Sequence, residues 1–440
     1  MDKRHWRAVA VVSAAGIAAA IAVPMASADD HGMYNVSTCR ATVGESHYSG
    51  ADAAQTAVTA AEALSANATV RISGTCAPVV IDDATDTITL RGAGRNPTLD
   101  GQGNPGSVVT VQSGSTAVIR GLKITGGTGA IDLGAPTAVG SGGGIHNDGT
   151  LTVRNSRVTG NAANAHGGGI FSTGPLTVID SRVDGNTAPD DGGGIATDDT
   201  LTVRGSRVDG NTAVNGSGGG IFLYAGGGST ASVTDSRVNG NSAGNAGGGI
   251  QSTFYTITIL RSQVNGNQQS ATASGAGGGG IVAQGRPLTL TKSQVNGNTA
   301  NAPGGTGGGI RNGAGTTLTL TKSQVNRNTA AGAGGGIWNE TYGSVSLVES
   351  QVNRNSAGGV GGGISFDLNA EPVTTVSICP KSKVQHNTAV GNGGGIWTYA
   401  TGTVLNGSGL TPYSGTGVNY NTASTVFSSD PTSSINIFGN

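Results

Sequence analysis

The 440-residue sequence is poor in aromatic residues, in charge and in cysteine. Phe, Trp and Tyr make up 4% of it, so a core built around large rings is excluded and small aliphatic side chains must fill the interior. Charged residues amount to 11% with a formal net charge of −1, which leaves no basic footprint for nucleic acid or an anionic membrane. Beyond the first residues, nothing approaches the ~18 uninterrupted apolar residues that a membrane-spanning helix needs. No His/Cys arrangement has metal-ligand spacing, so neither a metal nor an organic cofactor is expected, with Ca²⁺ on surface carboxylates as the one alternative. Of three cysteines, Cys39 and Cys76 both precede the regular part of the chain and are expected to pair in an oxidising compartment. Cys379 is left over as a semi-buried filler, with no His or Asn set around it to make it a nucleophile.

What is abundant is glycine, with 79 residues. High glycine with low charge is the composition of many disordered chains, but strict apolar periodicity argues for order here. Ten times a glycine run ends in isoleucine, at Ile145, Ile170, Ile195, Ile221, Ile250, Ile281, Ile310, Ile337, Ile364 and Ile396, at intervals of 25 to 32 residues. Between the copies come a Leu-Thr-Val-like strand and then Ser-x-Val-x-x-Asn. A repeat of this length cannot bury its own apolar face, so stacking must supply the core, as in a solenoid. In the copy following Ile170, Leu176, Val178, Ser181 and Val183 alternate with Thr177, Arg182 and Asp184, which reads as short strands with one face in and one out. Parallel pairing of each strand with its copy one turn away gives an all-β parallel β-helix, expected to have about 12 to 13 coils with a rise of ~4.8 Å per coil.

Before the repeats, Lys3, Arg4 and Arg7, the apolar stretch Ala8 to Val23 and the Ala26-Ser27-Ala28 exit form a secretory signal peptide, expected to be removed after residue 28. The protein is therefore expected to be secreted, or held non-covalently at the cell surface. Residues 29–69 are expected to form an N-terminal cap with an amphipathic helix over Ala51 to Ala68, in which Ala54, Val58, Ala61 and Leu64 share a face. The β-helix is expected over 70–421, regular from Gly142, and 422–440 form a C-terminal cap. One Asn per coil carries both donor and acceptor and is expected to stack as a structural ladder: Asn161, Asn186, Asn211, Asn241, Asn267, Asn298, Asn328, Asn355, Asn387 and Asn421. The glycines before each Ile are expected to provide positive φ and close backbone approach.

The Gly-Gly-Gly-Ile and Val-x-x-Asn pairing resembles the repeats of chlamydial polymorphic outer-membrane proteins. Ile88-Thr-Leu-Arg-Gly-Ala-Gly94 and Ala117-Val-Ile-Arg-Gly-Leu-Lys-Ile-Thr-Gly-Gly127 are similar to the opening coils of secreted right-handed parallel β-helix proteins of the pectate lyase-like superfold, many of them actinobacterial. The resemblance covers nearly the whole chain after the signal and implies a right-handed coil and secretion. It leaves activity open, since Val stands for Phe, a third Gly stands for Ala, and no run of alternating strands leads to an expectation of the chlamydial transport barrel.

Enzymes on this superfold need clustered acids or a basic residue with calcium carboxylates. The best acidic candidates are Asp190, Asp191, Asp198 and Asp199, but these flank opposite ends of one strand, and no catalytic residue is assigned. An outward stripe of Arg157, Arg182, Arg207 and Arg237 reads as a charge-balanced solvated face, continued by Gln263, Gln294, Gln324 and Gln351. An outward Thr/Ser column (Thr152, Thr177, Thr202, Ser232, Thr258, Thr289, Thr319, Ser346) would suit ice binding, or simply strand formation. The slot after each repeat Ile holds Phe171, Phe222, Trp338 and Trp397, two of them Trp two coils apart, about 10 Å by the coil rise. With Tyr342 and Tyr399 nearby, these are expected to face outward and stack on sugar rings. The function expected from sequence is thus non-catalytic binding of a polysaccharide or cell-surface partner. The alternatives are a polysaccharide lyase or glycoside hydrolase, and an ice-binding or purely structural surface protein. The number of subunits is left open.

Overall fold

The computed structural model describes residues 39–64, 66–129, 142–224, 229–270, 277–366, 375–379, 381–391 and 393–398, together with short strands at Val404–Asn406, Val418–Asn419, Val426–Ser428 and Asn436–Phe438. All belong to one of two compact units, Asn35–Asn440. The expected signal peptide, Tyr399 and Asn421 lie outside the described residues.

The chain winds as an all-β right-handed solenoid in which the strands of successive coils pair in parallel one turn apart. In one coil, Ile195–Thr197 lies between Ile170–Ser172 and Ile221–Tyr224, and Leu201–Arg204 between Leu176–Ile179 and Thr230–Thr234. Arg207–Asp209 then lies between Arg182–Asp184 and Arg237–Asn239. Three faces result. The first sheet runs from Ala68–Ser73 to Asn436–Phe438, and the third from Val79–Ile81 to Val426–Ser428. The second runs from Thr75–Cys76 to Val418–Asn419, its two stretches joined only by single-residue bridges at Gln263. A fourth ladder of two-residue strands, such as Thr187–Ala188 and Thr212–Ala213, was not anticipated from sequence. About ten turns are regular, against an expected 12 to 13 coils. The expected number included about three less regular coils before Gly142, where strands Ala68–Ser73, Thr87–Gly92 and Thr116–Arg120 stack in parallel but lack the Gly-Gly-Gly-Ile corner.

The first strand of the first sheet is met by an antiparallel hairpin, Arg40–Val43 with Ser46–Ser49. Helix α1, Ala53–Glu62, is shorter than its sequence pattern and buries Ala53, Ala54, Ala57, Val58 and Ala61 against the neighbouring strands. Leu64 falls beyond the helix end and is 48% exposed, so it does not share the buried face. Cys39 and Cys76 form a disulfide, and Cys379 is free and partly buried. Among the described residues no helix is long and apolar enough to cross a membrane.

The corner before each Ile divides its work among three glycines. Gly218 alone has positive φ, +65°. A Cβ on Gly219 would lie 2.3 Å from the Ser242 carbonyl oxygen, and one on Gly220 would lie 2.7 Å from that of Gly249 and 2.8 Å from Asn241 Nδ2. Positive φ explains one glycine; contact with the next coil explains the other two. The Ile that follows is buried in every coil, with no more than 1% of its surface exposed.

Inside, the Asn side chains bind three coils together. Asn186 Nδ2 donates to the Val158 carbonyl of the coil before (3.0 Å) and to Asn211 Oδ1 of the coil after (3.1 Å), while Asn186 N–H also donates to Asn211 Oδ1 (3.0 Å). The pattern repeats through to Asn387. A parallel serine ladder, unrecognised from sequence as a bonding device, works alike: Ser181 N–H donates to Ser206 Oγ (3.0 Å), whose hydroxyl reaches the carbonyl of Arg204 at 2.8 Å.

Two stability outcomes follow. Asn211→Ala strands the N–H of Asn186 in the interior, removes one of the two bonds of its Nδ2, and should lower unfolding free energy by about 1–3 kcal/mol in urea titration; a smaller change than in an exposed control would rule the ladder out as a stabilising element. Gly219→Ala should destabilise more than Gly240→Ala, because Gly240 has positive φ but open space around its Cβ position whereas Gly219 abuts backbone.

Candidate functional site

The slot after each Ile forms one column along the third sheet: His146, Phe171, Ala196, Phe222, Gln251, Val282, Arg311, Trp338, Ser365 and Trp397. Trp338 and Trp397 are two coils apart, with Ser365 between them. The column is nevertheless no open platform. Trp397 is 4% exposed, Ser365 is fully buried, and Phe171, Phe222 and Trp338 are half-buried. The glycine corner folds back over the slot: Cβ atoms placed on Gly361 and Gly393 would sit 2.4 and 2.5 Å from the Cβ atoms of Ser365 and Trp397. Pointing away from the core is therefore not the same as meeting solvent. Phe222 stacks on Tyr224 (6.4 Å, 4°) and Phe171 tilts against His146 (5.5 Å, 38°). Tyr342 is 59% exposed at φ +59°, on the loop after the Trp338 strand.

The four candidate acids stay apart, Asp190 and Asp191 in the turn before Gly192 and Asp198 and Asp199 beyond Thr197. Asp191 is fixed by the turn itself: its Oδ1 accepts from Ser217 N–H (2.7 Å) and its own N–H donates to His166 Nδ1 (3.2 Å). With Nδ1 accepting, the 3.6 Å approach of that nitrogen to Asp191 Oδ2 is not a donated bond. Burial pushes the Asp191 carboxyl above the usual range, outweighing the Ser217 bond and His166. The Asp198 carboxyl is also raised, by partial burial and by the charges of Asp199 and Asp148. Asp199 offers its carbonyl to the buried Tyr255 hydroxyl at 2.8 Å. A neighbouring pair was missed: His146 Nε2 lies 2.9 Å from Asp148 Oδ2, Thr173 donates to Asp148 Oδ1 at 2.7 Å, and the His146 bond holds the Asp148 carboxyl low. The His-x-Asp spacing at the first slot was the available signal. Among the described residues, no group of three or more His, Cys, Asp and Glu side chains is placed to hold a metal ion.

The outward Thr/Ser column is aligned throughout the first sheet and mostly half-buried. On the second sheet, Arg157, Arg182, Arg207 and Arg237 stand in register, exposed, with Asp184 and Asp209 in the adjacent column. Arg157 grips Asp184 with two bonds, 3.1 and 2.8 Å. Arg261 grips Asp235 likewise, at 2.6 and 2.7 Å.

Farther along, the same face changes chemistry. Gln294, Gln324, Gln351 and Lys383 form one column, and Asn296, Asn326, Asn353 and Gln385 form the next. The second is itself a hydrogen-bonded ladder, each Asn Oδ1 accepting the N–H of its copy one coil on at 2.9 to 3.0 Å. The Val-Asn-x-Asn pattern from Val238 onward carried this signal unnoticed. Beside the Asn column stand Arg327, Arg354 and His386, with φ of +57°, +55° and +55°. All of these residues but Gln294 line a groove of about 430 Å³.

A family model described as a right-handed beta helix region matches residues 99–268. No curated protein matches the chain, and no solved structure does. The matched region and the stacked parallel strands agree: the chain is a parallel β-helix repeat protein.

Proposed function

We propose that this is an extracellular, non-catalytic β-helix protein that binds an extended glycan, and that the binding face is the amide groove of the second sheet instead of the aromatic slot. The observation that carries the reading is the pair of side-by-side columns, Gln294/Gln324/Gln351 and Asn296/Asn326/Asn353, aligned in register on a half-exposed face. Each Asn spends its Oδ1 on the ladder and one Nδ2–H on the neighbouring Gln Oε1 at 3.2 to 3.5 Å, so the Gln Nε2–H groups and the second Asn Nδ2–H are the donors left to a ligand, repeated at the coil rise of ~4.8 Å. A linear, hydroxyl-rich chain is the ligand class that such a repeat serves, because successive units meet equivalent partners. The charged pattern Lys3-Arg4-Arg7 and the Ala26-Ser27-Ala28 exit support an extracellular site.

One observation favours a polysaccharide-cleaving reading as a second: Asp148 is held low while Asp198, on the same edge of the third sheet, is held high, the split that acid and base partners need. Release of reducing ends or unsaturated products from polysaccharides, abolished by Asp198→Asn, would decide for it. On a glycan array, Gln324→Ala/Gln351→Ala should lose about ten-fold in binding, while Trp338→Ala/Trp397→Ala should retain whatever binding its stability permits. The reverse result would return the site to the slot column.

Asp191 belongs to the turn and not to chemistry, which sets a pH signature. Its folded carboxyl titrates above the unfolded value, so its contribution to stability is fully present below the ordinary carboxylate range and is lost as pH rises through the raised value. Asp191→Asn keeps the Ser217 bond and should gain stability relative to the parent as pH rises through that window. A difference independent of pH would show that burial does not perturb this group.

A further inference from the structure

We infer that the groove on the second sheet selects an acidic polysaccharide, one carrying carboxylate or sulfate groups; this rests on the reading that the face holds an extended glycan. The starting point is a backbone position. In six coils the residue before the ladder Asn is glycine in the left-handed region: Gly160, Gly185, Gly210, Gly240, Gly266 and Gly297, with φ of +62° to +64°. In the next three coils the same position, with the same sign of φ, holds Arg327, Arg354 and His386. A side chain with a Cβ is strained there, and glycine would relieve it. Core packing does not account for the exchange, since all three residues are exposed. Strain retained at three successive coils on one face points to a use for the side chains.

Their surroundings say which use. Among the earlier coils, two cations are gripped by carboxylates, Arg157 by Asp184 and Arg261 by Asp235, and Asp209 is within electrostatic reach of Arg207 and Arg237. Around the groove the outward columns are amides, and Lys383 takes the place of the Gln. Among the described residues no ion pair engages Arg327, Arg354 or Lys383. Like charges stacked at ~4.8 Å repel, and a linear polyanion laid along them removes that repulsion while filling the guanidinium forks. The flanking amides then meet the hydroxyls of the same chain. Among the described residues no Phe, Trp or Tyr lines the groove and His386 is its one ring, so the successive stacking platforms that single-stranded nucleic acid uses are missing.

The test takes the full secreted chain and measures binding to a carboxylated polysaccharide, a sulfated polysaccharide and a neutral dextran. Arg327→Gly/Arg354→Gly/His386→Gly restores the residue used in six other coils, so folding is retained, as a melting curve will show. Acidic-polymer binding should fall by at least ten-fold for each arginine lost, and the parent's binding should weaken with salt. Gly297→Arg, whose Cβ position has open space, should extend the row and tighten binding several-fold. Either acidic arm alone or both together supports the inference and identifies the anion. Undiminished binding by the triple glycine variant overturns it. Equal parental binding to neutral dextran, lost in Gln324→Ala/Gln351→Ala, overturns the charge preference while leaving the glycan face standing. No binding to any of the three polymers overturns both, and tighter binding to single-stranded DNA or polyphosphate overturns the polymer class.

Discussion

The structure depends on one buried amide per coil. An unpaired polar group in this interior would cost about 1–3 kcal/mol, yet each ladder Asn satisfies its own groups only by reaching both the coil before and the coil after. That requirement fixes register. A coil shifted by one residue would put Asn outside and Arg or Gln inside, and would strand the donors of two neighbours at once. The aliphatic columns supply the bulk of the burial, but aliphatic contacts tolerate sliding, and the amides do not.

Register in turn makes the outer surface periodic. Because the inner ladder holds every coil in phase, a residue chosen at an outward position falls in line with its equivalents without further design. The Arg stripe, the Gln and Asn columns and the slot column are consequences of the same phase-locking. Selection can then alter one face while the inner residues stay as they are, which is how one sheet carries paired charges at one end and amides with cations at the other.

Much of this was legible in the residues themselves. Gly, Ile and Asn recur because the interior demands them, and period-two alternation placed Thr177 out and Val178 in. Other features were hidden for physical reasons. The burial of Trp397 was not visible, because alternation says which way a side chain leaves the strand and not what folds back over it. The three roles of Gly218, Gly219 and Gly220 look identical in sequence, since only the neighbouring coil distinguishes a φ requirement from a contact requirement. Arg327 and Arg354 read as ordinary loop residues until they are set in register with Gly266 and Gly297 and seen to share their backbone. The fourth ladder escaped notice because two-residue strands carry no alternation to read.

The second sheet is joined at Gln263 by single-residue bridges, while the inner Asn ladder passes straight through that coil from Asn241 to Asn298. Continuity thus resides in the interior, and the outer faces are free to break. A whole coil duplicated or lost by recombination meets the same hydrogen-bonding joint on either side. The array can lengthen or shorten in units of one turn, and the reach of its surface is a matter of copy number.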